Sequence, residues 1–446
     1  VNENDPDGAF GLPARAAAGR TASGPSTRGR RGNLQLLALN PTDSVTEGFL
    51  PAAARLGLAV TLLTDQPDAH RHAYDRHAAA GGELPELDLA HCDVRDFREV
   101  IGRISARVSD HPASRPAAIF TNSDHLQVQA ALAADYFGLP GKDWRAALRT
   151  KNKAELRRSL AATRADTLWC AELAPGQDPS DHPSLAAPDV PYPCVLKPRE
   201  GVASEDVVLV ADARELDRRC REIRARRPEA HLVVEEFLDG PLRTLETLGD
   251  GHTLHALAAF RTEISPPPHF IEERLELLPA PPEPHTGHVL EQLRALGVGF
   301  GACHTEYVVQ GERARIIEVN YRAIGDQCDL VLADLLDIPL FDHILRTHLG
   351  EPLPADLGAR TDGRVRMEYV MADRGGRLTD APAASVSDRD GVRLDYRPLR
   401  AIGEEHPLYG TNRDFLGVLR ATGTDQRRID QAVAGFLAAN RWVIAP

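Results

Sequence analysis

The chain has 446 residues, a formal net charge of -13, and hydrophobic and charged contents of 42% and 26%. Such a composition is ordinary for a globular protein, and the length suggests about three domains rather than a single core. The acidic balance argues against a nucleic-acid binder, which needs a basic footprint, but it leaves room for a nucleotide held by a few local cations.

Six cysteines (Cys92, Cys170, Cys194, Cys220, Cys303, Cys328) are scattered without C-x-x-C spacing, so neither a disulfide framework nor a zinc site is expected. No apolar run approaches the length of a membrane span, and the N-terminus lacks the short apolar core of a signal peptide. The expectation is a soluble protein of the reducing cytoplasm.

Residues 1–32 are rich in Gly, Ala, Arg, Pro and Ser and read as a disordered tail, unable to bury enough apolar surface to offset ordering entropy. Order begins at NLQLLALN (33–40), a strand, followed by a helical stretch near 44–57 and a second strand, LAVTLLTD (58–65). FREVIGRISARV has helical spacing, and AAIFTN (117–122) is a third strand. DHLQVQAALAADYFGLPG is a helix ended by Gly138, with Pro140 beyond it. Strands alternating with helices imply a parallel sheet in an N-terminal α/β domain, 33–142. No G-x-G-x-x-G follows these strands, so a dinucleotide site has no support.

From 143 the character changes. WRAALRTKNKAELRRSLAAT is basic and helical, PYPCVLKP and EDVVLV are strands joined by the loop REGVAS, and AHLVVEEFLDG is a strand reaching a turn. Residues 143–240 are expected to form a small central domain. TLETLGDGHTLHALAAFRT reads as a hairpin around Asp250-Gly251. A Pro-rich loop over 264–285, a helix near 285–297, and the strands GACHTEYVVQG and RARIIEVNYR come next. An apolar helical stretch to about 349 completes a domain over 241–352, bounded by Pro352 and Pro354. Residues 353–446 are expected to be a small α+β unit, with strands near 364–371 and 392–400 and a final helix near 424–440. There are no internal repeats.

The chemistry gathers in RIIEVNYR. Ile316, Ile317 and Val319 mark a buried strand, and alternate side chains share a face, so Glu318, Asn320 and Arg322 point one way. On the preceding strand His304 and Glu306 also share a face, and antiparallel pairing would bring Glu306, Glu318 and Asn320 together. Two carboxylates and an amide oxygen are hard ligands suited to Mg²⁺, which keeps substrate phosphate oxygens in its shell. The alternative puts Glu318 and Asn320 on the solvated face of an edge strand, and periodicity does not separate the two. Lys197 ends the apolar strand VLKP beside a small-residue loop, where a cation and loop amides suit phosphate oxygens. Lys153 opens a helix, where a lysine is ordinarily just solvated.

Taken in order, Lys153, Lys197 with its loop, VVEEFLDGP, Glu306 and EVNYR resemble the ATP-grasp superfamily of carboxylate–amine ligases over roughly 33–350. The resemblance implies an ATP-grasp fold, α/β and α+β in class. Its parts would be an N-terminal parallel α/β domain, a small central lid domain and a C-terminal antiparallel-sheet ATP-binding domain, with the small α+β unit appended. It implies ATP and Mg²⁺ as cofactors, two ions bridging the β- and γ-phosphates, with Mn²⁺ able to substitute. By position, Lys153 and Lys197 would hold the α- and β-phosphates, and Ser204 would lie in the loop that closes over the triphosphate. Glu235 would meet the adenine amino group, and the backbone of Glu236 and Leu238 the ring edge. Glu306, Glu318 and Asn320 would hold the metal, and Arg322 would stabilise the transferring phosphoryl group or the acyl phosphate. Several relatives place a ribose-binding glutamate after the Gly-Pro turn. Here the turn reads Gly240-Pro241-Leu242, so that contact is missing or moved, with Glu246 the candidate substitute. Tyr321 stands where many relatives have proline.

A carboxylate is a poor electrophile until phosphorylated, and phosphoryl transfer needs positioning and charge neutralisation more than a protein nucleophile. An acyl phosphate must be kept from water, and REGVAS and the 264–285 loop are the candidate lids. His304 is a candidate base for the incoming amine, against the commoner role of a satisfied structural histidine. Arg243 and Arg261 are candidates for a substrate carboxylate, or are simply solvated. His269, Glu272 and Glu273 lie in the expected lid and are candidates for substrate choice. The expected partners are a small-molecule carboxylate and an amine such as an amino acid, without nucleic acid or membrane, and a homodimer is compatible. EVNYRAIGDQCDLVLADLLDIPLF resembles the ATP-grasp proteins of carboxylate-siderophore biosynthesis, and a dipeptide or peptide-antibiotic ligase would share the chemistry. A non-catalytic ATP-binding scaffold is a different class, disfavoured by the complete Glu306, Glu318 and Asn320 set. A biotin-dependent carboxylase subunit would bring a Met-Lys acceptor motif, whereas Met367 and Met371 lie elsewhere.

Overall fold

The computed structural model describes residues 32–446. The expected tail therefore lies outside the described residues, except for Gly32, which opens the first strand. β1 (Gly32–Leu37), β2 (Leu58–Thr64), β3 (Leu87–His91) and β4 (Pro116–Phe120) form a parallel sheet in the order β3-β2-β1-β4. β2 is buried at every position, as its unbroken apolar run requires when both sheet faces are covered. β3 escaped the sequence analysis because it is a largely exposed edge strand, LDLAH, without such a run.

The basic helical stretch divides at Asn152 into the helices Trp144–Lys151 and Lys153–Ala162. The Asn152 side chain accepts from the amides of Ala154 and Glu155, which caps the second helix and puts Lys153 at its first position. β5 (Cys170–Leu173), β6 (Cys194–Pro198), β7 (Val208–Val210) and β8 (Leu232–Glu236) then form a small antiparallel sheet in the order β5-β8-β6-β7.

Most of the remaining strands build one large antiparallel sheet. Its first strands are β9 (Leu242–Asp250), β10 (Leu254–Ile264), β11 (Glu272–Leu277), β12 (Phe300–Gln310) and β13 (Arg313–Asn320). They are followed by β14 (Arg364–Met371), β15 (Gly376–Asp380), β16 (Ser385–Arg389), β17 (Val392–Pro398), β18 (Glu405–His406), β19 (Phe415–Gly423) and β20 (Val443–Ala445). The sheet order is β13-β12-β9-β10-β11-β14-β19-β17-β16, with β18-β15-β20 as a separate small sheet. β11 lies inside the stretch expected to be only a Pro-rich loop. It pairs with β10 on one side and β14 on the other, so the C-terminal α+β segment shares the sheet that carries the site.

β13 is the edge of this sheet, and its open side is covered rather than solvated. Arg157 donates to the carbonyls of Ile316 and Ile317 at 2.6 and 3.2 Å, and Gln292 donates to Ala314 at 2.8 Å. Behind it Tyr307, Ile316, Val319 and Tyr321 pack on Val289 and Leu293 of the helix His285–Leu296. The Tyr321 hydroxyl accepts from the amides of Gly299 and Phe300 at 3.3 and 3.2 Å, a tie that proline could not make. Among the described residues, no helix is long and apolar enough to cross a membrane.

Candidate active site

Antiparallel pairing of β12 and β13 sets Glu306 opposite Glu318 and His304 opposite Asn320, with a bulge after Glu306. The convergence expected from strand alternation is therefore present. Facing carboxylates repel unless compensated. Lys153 Nζ donates to Glu318 Oε1 at 2.8 Å, His304 Nε2 lies 3.7 Å from Glu306 Oε1, and Asn320 Nδ2 reaches the same oxygen at 3.5 Å. Burial works against the Glu318 charge, but Lys153 outweighs it and keeps that carboxyl below its usual range.

Two cavities meet at this pair. The first, about 400 Å³, is lined by Lys153, Lys197, Glu236, Phe237, Leu238 and Leu242, a mostly apolar slot with cations at one end. The second, about 340 Å³ and more polar, is lined by His304, Asn320, Arg322, Asp326, Asn412 and Arg413. Val202, Ser204, Glu272, Glu306 and Glu318 belong to both. A larger cleft of about 860 Å³ lies elsewhere, near Glu47, Phe341 and Arg397. It holds none of the expected site residues, and its arginines are already paired, Arg397 with Glu47, Arg420 with Asp395 and Arg55 with Asp342.

The two lysines of the first cavity, Lys153 and Lys197, each lie against a buried carboxylate, Glu318 and Glu235. Glu235, 3% exposed, is shared by Arg157 and Lys197 at 2.8 and 2.7 Å. Burial lowers the pKa of Lys197. Glu235 offsets this in part, while Arg157 and Lys153 add to it, leaving the amine below its ordinary value. Among the described residues, no three His, Cys, Asp or Glu side chains stand together to hold a metal. Glu306, Glu318 and the Asn320 amide are the residues that could offer a partial oxygen shell, of the kind Mg²⁺ uses when phosphate oxygens complete it.

Several expected roles need correction. The Glu235 carboxylate lines the first cavity but is already bound by Arg157 and Lys197; burial opposes its charge, and the two cations hold it at about 2. Glu246 is not the ribose contact. It is buried, accepts from Thr244 at 3.0 Å and pairs with His304 Nδ1 at 2.7 Å. His304, between Glu246 and Glu306, is pushed up to about 10 because those carboxylates outweigh its burial, which favours the imidazolium over the free base. Arg261 pairs with Glu276, and Arg243 meets His285 at 3.2 Å; neither lines a cavity of the site. Of the lid candidates, Glu273 is exposed and His269 packs beside Gly410, while Glu272 reaches both cavities. Burial, and then Glu306, raise the Glu272 carboxyl to about 8.

Some participants gave no sequence signal. Arg157 is one arginine among many in a basic helix. Lys142, which lines neither cavity but supports the end of β13, is buried, lies 4.3 Å above the Tyr321 ring, and donates to the Tyr321 carbonyl and to Gln127 at 2.7 Å. Burial brings its amine down to about 7. Asn412 and Arg413 come from the C-terminal segment, far along the chain from every motif.

Comparison with known proteins agrees with this geometry. Residues 190–330 match the model of the ATP-grasp domain. The protein y4rH of Sinorhizobium fredii is 26% identical over 427 residues, covering 92% of this chain and 83% of the relative. The crystal structure of L-amino acid ligase from Bacillus licheniformis superposes with a TM-score of 0.74 at 19% identity, covering 94% of this chain and all of that one. The biotin carboxylase domain of Hydrogenobacter thermophilus 2-oxoglutarate carboxylase, solved with MgADP, gives 0.64 at 15% identity, covering 92% and 91%. Residues 190–330 thus carry an ATP-grasp domain match, and the chain as a whole shares the fold of the L-amino acid ligase structure.

Proposed function

We propose that this chain is an ATP-dependent ligase that activates a carboxylate as an acyl phosphate and couples it to an amine, an amino acid, with release of ADP and phosphate. The observation that carries the reading is the facing pair Glu306 and Glu318, common to an apolar slot that holds Lys153 and Lys197 and to a polar chamber holding Arg322. A nucleotide in the slot and an acid in the chamber would meet at that pair.

Lys153 and Lys197 take phosphate oxygens, Ser204 and its loop cover them, and the backbone of Glu236 and Leu238 takes the adenine edge. Phe237, Leu238 and Ile317 offer the apolar surface a flat ring needs. Glu306, Glu318 and Asn320 would hold Mg²⁺, which supplies neutralisation of charge building on the transferring phosphoryl group. Arg322 presents a planar fork to the acid or its phosphorylated form. His304, held as imidazolium, keeps Glu306 oriented and adds positive charge behind it. The 201–206 loop excludes water, which would otherwise hydrolyse the activated acid.

Two metal ions, substitution by Mn²⁺, a siderophore pathway, a homodimer and a cytoplasmic site of action belong to the same proposal. The six cysteines are all free, which suits a reducing compartment. The test is ADP and phosphate release across a panel of acids paired with amino acids. Release confined to particular pairs, and abolished by Glu318→Ala, supports ligation. Tight Mg·ATP binding without turnover for any pair would favour a scaffold instead.

A further inference from the structure

The loop between β6 and β7 adopts a backbone that L-residues avoid. Ala203, Ser204 and Asp206 have φ of 54°, 56° and 59°, a left-handed conformation that only glycine adopts without penalty. Such a loop needs holding from outside. On one side, Arg227 pairs with Glu205 and, at 3.3 Å, with Asp206. On the other side stands a turn from the far end of the chain: the Asn412 amide reaches the Ala203 carbonyl at 3.4 Å, and Arg413 reaches Glu205 at 3.3 Å.

That turn is built to be stiff. Asp414 is fully buried and accepts from the amides of Tyr409, Gly410 and Thr411 at 2.9, 2.6 and 3.2 Å, and from His406 Nε2 at 3.0 Å. The Thr411 side chain caps the Arg413 amide at 3.2 Å. Asn412 Oδ1 also accepts from the Glu272 amide at 3.1 Å, so the same turn is fastened to the strand that carries a carboxylate common to both cavities. A rigid turn thus meets a strained loop through two weak contacts, a combination suited to closing and releasing.

We propose that the 409–414 turn is a latch for the 201–206 loop, with Arg413 a positioning residue that holds Ser204 over the junction of the two cavities. This rests on the ATP-grasp ligase reading for its purpose, but not for its geometry. The Arg413 and Glu205 side chains are 50% and 25% exposed, and an ion pair of that kind shifts an equilibrium about 1.5- to 5-fold. The latch is therefore weak enough to open in each catalytic cycle.

The test is hydrogen exchange of the amides at 201–207 in the full chain without nucleotide. Arg413→Ala should speed exchange there about 1.5- to 5-fold, while β12 and β13 stay unchanged. Arg413→Lys should restore most of the protection, and Arg413→Ala should add nothing in a Glu205→Ala background. Unchanged exchange in Arg413→Ala, or a full further effect in that background, overturns the latch. With a turned-over acid and amine, Arg413→Ala should raise the KM for ATP and the ADP formed per amide bond. Faster exchange with both quantities unchanged overturns the positioning role. If the wild type turns over no pair, the ligase reading fails while the exchange result still decides whether the latch exists.

Discussion

Replacing Arg157 with methionine removes one guanidinium that joins three elements. Its Nε and Nη2 reach Glu235 at 2.8 and 3.0 Å, and its Nη1 and Nη2 reach the Ile316 and Ile317 carbonyls at 2.6 and 3.2 Å. Methionine keeps much of the stem's bulk but leaves buried Glu235 with Lys197 alone. Two carbonyls of the edge strand β13 then lack donors. Breaking a buried ion pair by removing one partner costs about 3–5 kcal/mol, and each orphaned carbonyl adds roughly 1 kcal/mol. A destabilisation of about 5–7 kcal/mol is expected from these terms. The assay is urea unfolding followed by tryptophan fluorescence, since the Trp169 carbonyl accepts from the Glu236 amide at 3.1 Å, beside the perturbed site.

The pH dependence gives a second readout. Glu235 is held at about 2 against an ordinary 4.5, a depression worth about 3 kcal/mol. A depressed carboxyl stabilises the fold above its unfolded value and loses that contribution as pH falls through its folded one. Wild-type stability should therefore fall more steeply than that of Arg157→Met between pH 4.5 and about 2. A loss under about 1 kcal/mol at neutral pH, with parallel pH profiles, would refute the reasoning.

Three further outcomes follow from the same geometry. Glu318→Ala should lower ATP turnover at least about 100-fold while the protein stays folded, as loss of a group neutralising transition-state charge does, and chelation of divalent cations should mimic it reversibly. Turnover surviving both would remove Glu318 from the chemistry. His304→Gln and Glu246→Gln should each destabilise by about 2–4 kcal/mol, and the double variant by less than their sum, because each single change strands a buried partner; additive losses in urea would contradict the pairing. Gly240→Ala should cost more than about 2 kcal/mol, since φ is +152° and a Cβ would lie 2.2 Å from the Val309 carbonyl. A thermal midpoint within a degree of wild type would show that the turn adjusts.

Local pattern was enough to place the proposed phosphate and metal residues. Lys197 ends a strand before a small-residue loop, and Glu306, Glu318 and Asn320 follow from alternation along two strands, so each could be placed without knowing the rest of the fold. Where sequence reasoning erred, the error lay in the partner. Glu235 and Glu246 were assigned to the nucleotide, but both face buried cations, Arg157 with Lys197 in one case and His304 in the other. His304 was weighed as a base by residue type, although two neighbouring carboxylates fix its charge.

The sequence by itself determined β1, β2 and β4 of the N-terminal parallel sheet, the helix His285–Leu296 and the polar face of β13, because each is written in the spacing of residues close along the chain. Only the tertiary structure decided that β11 bridges the site to the C-terminal strands, that Arg157 seals the edge of β13, and that Asn412 and Arg413 meet the 201–206 loop. The physical reason is that periodicity reports which face of an element is buried, whereas the identity of a buried charge's partner depends on which distant element packs against it.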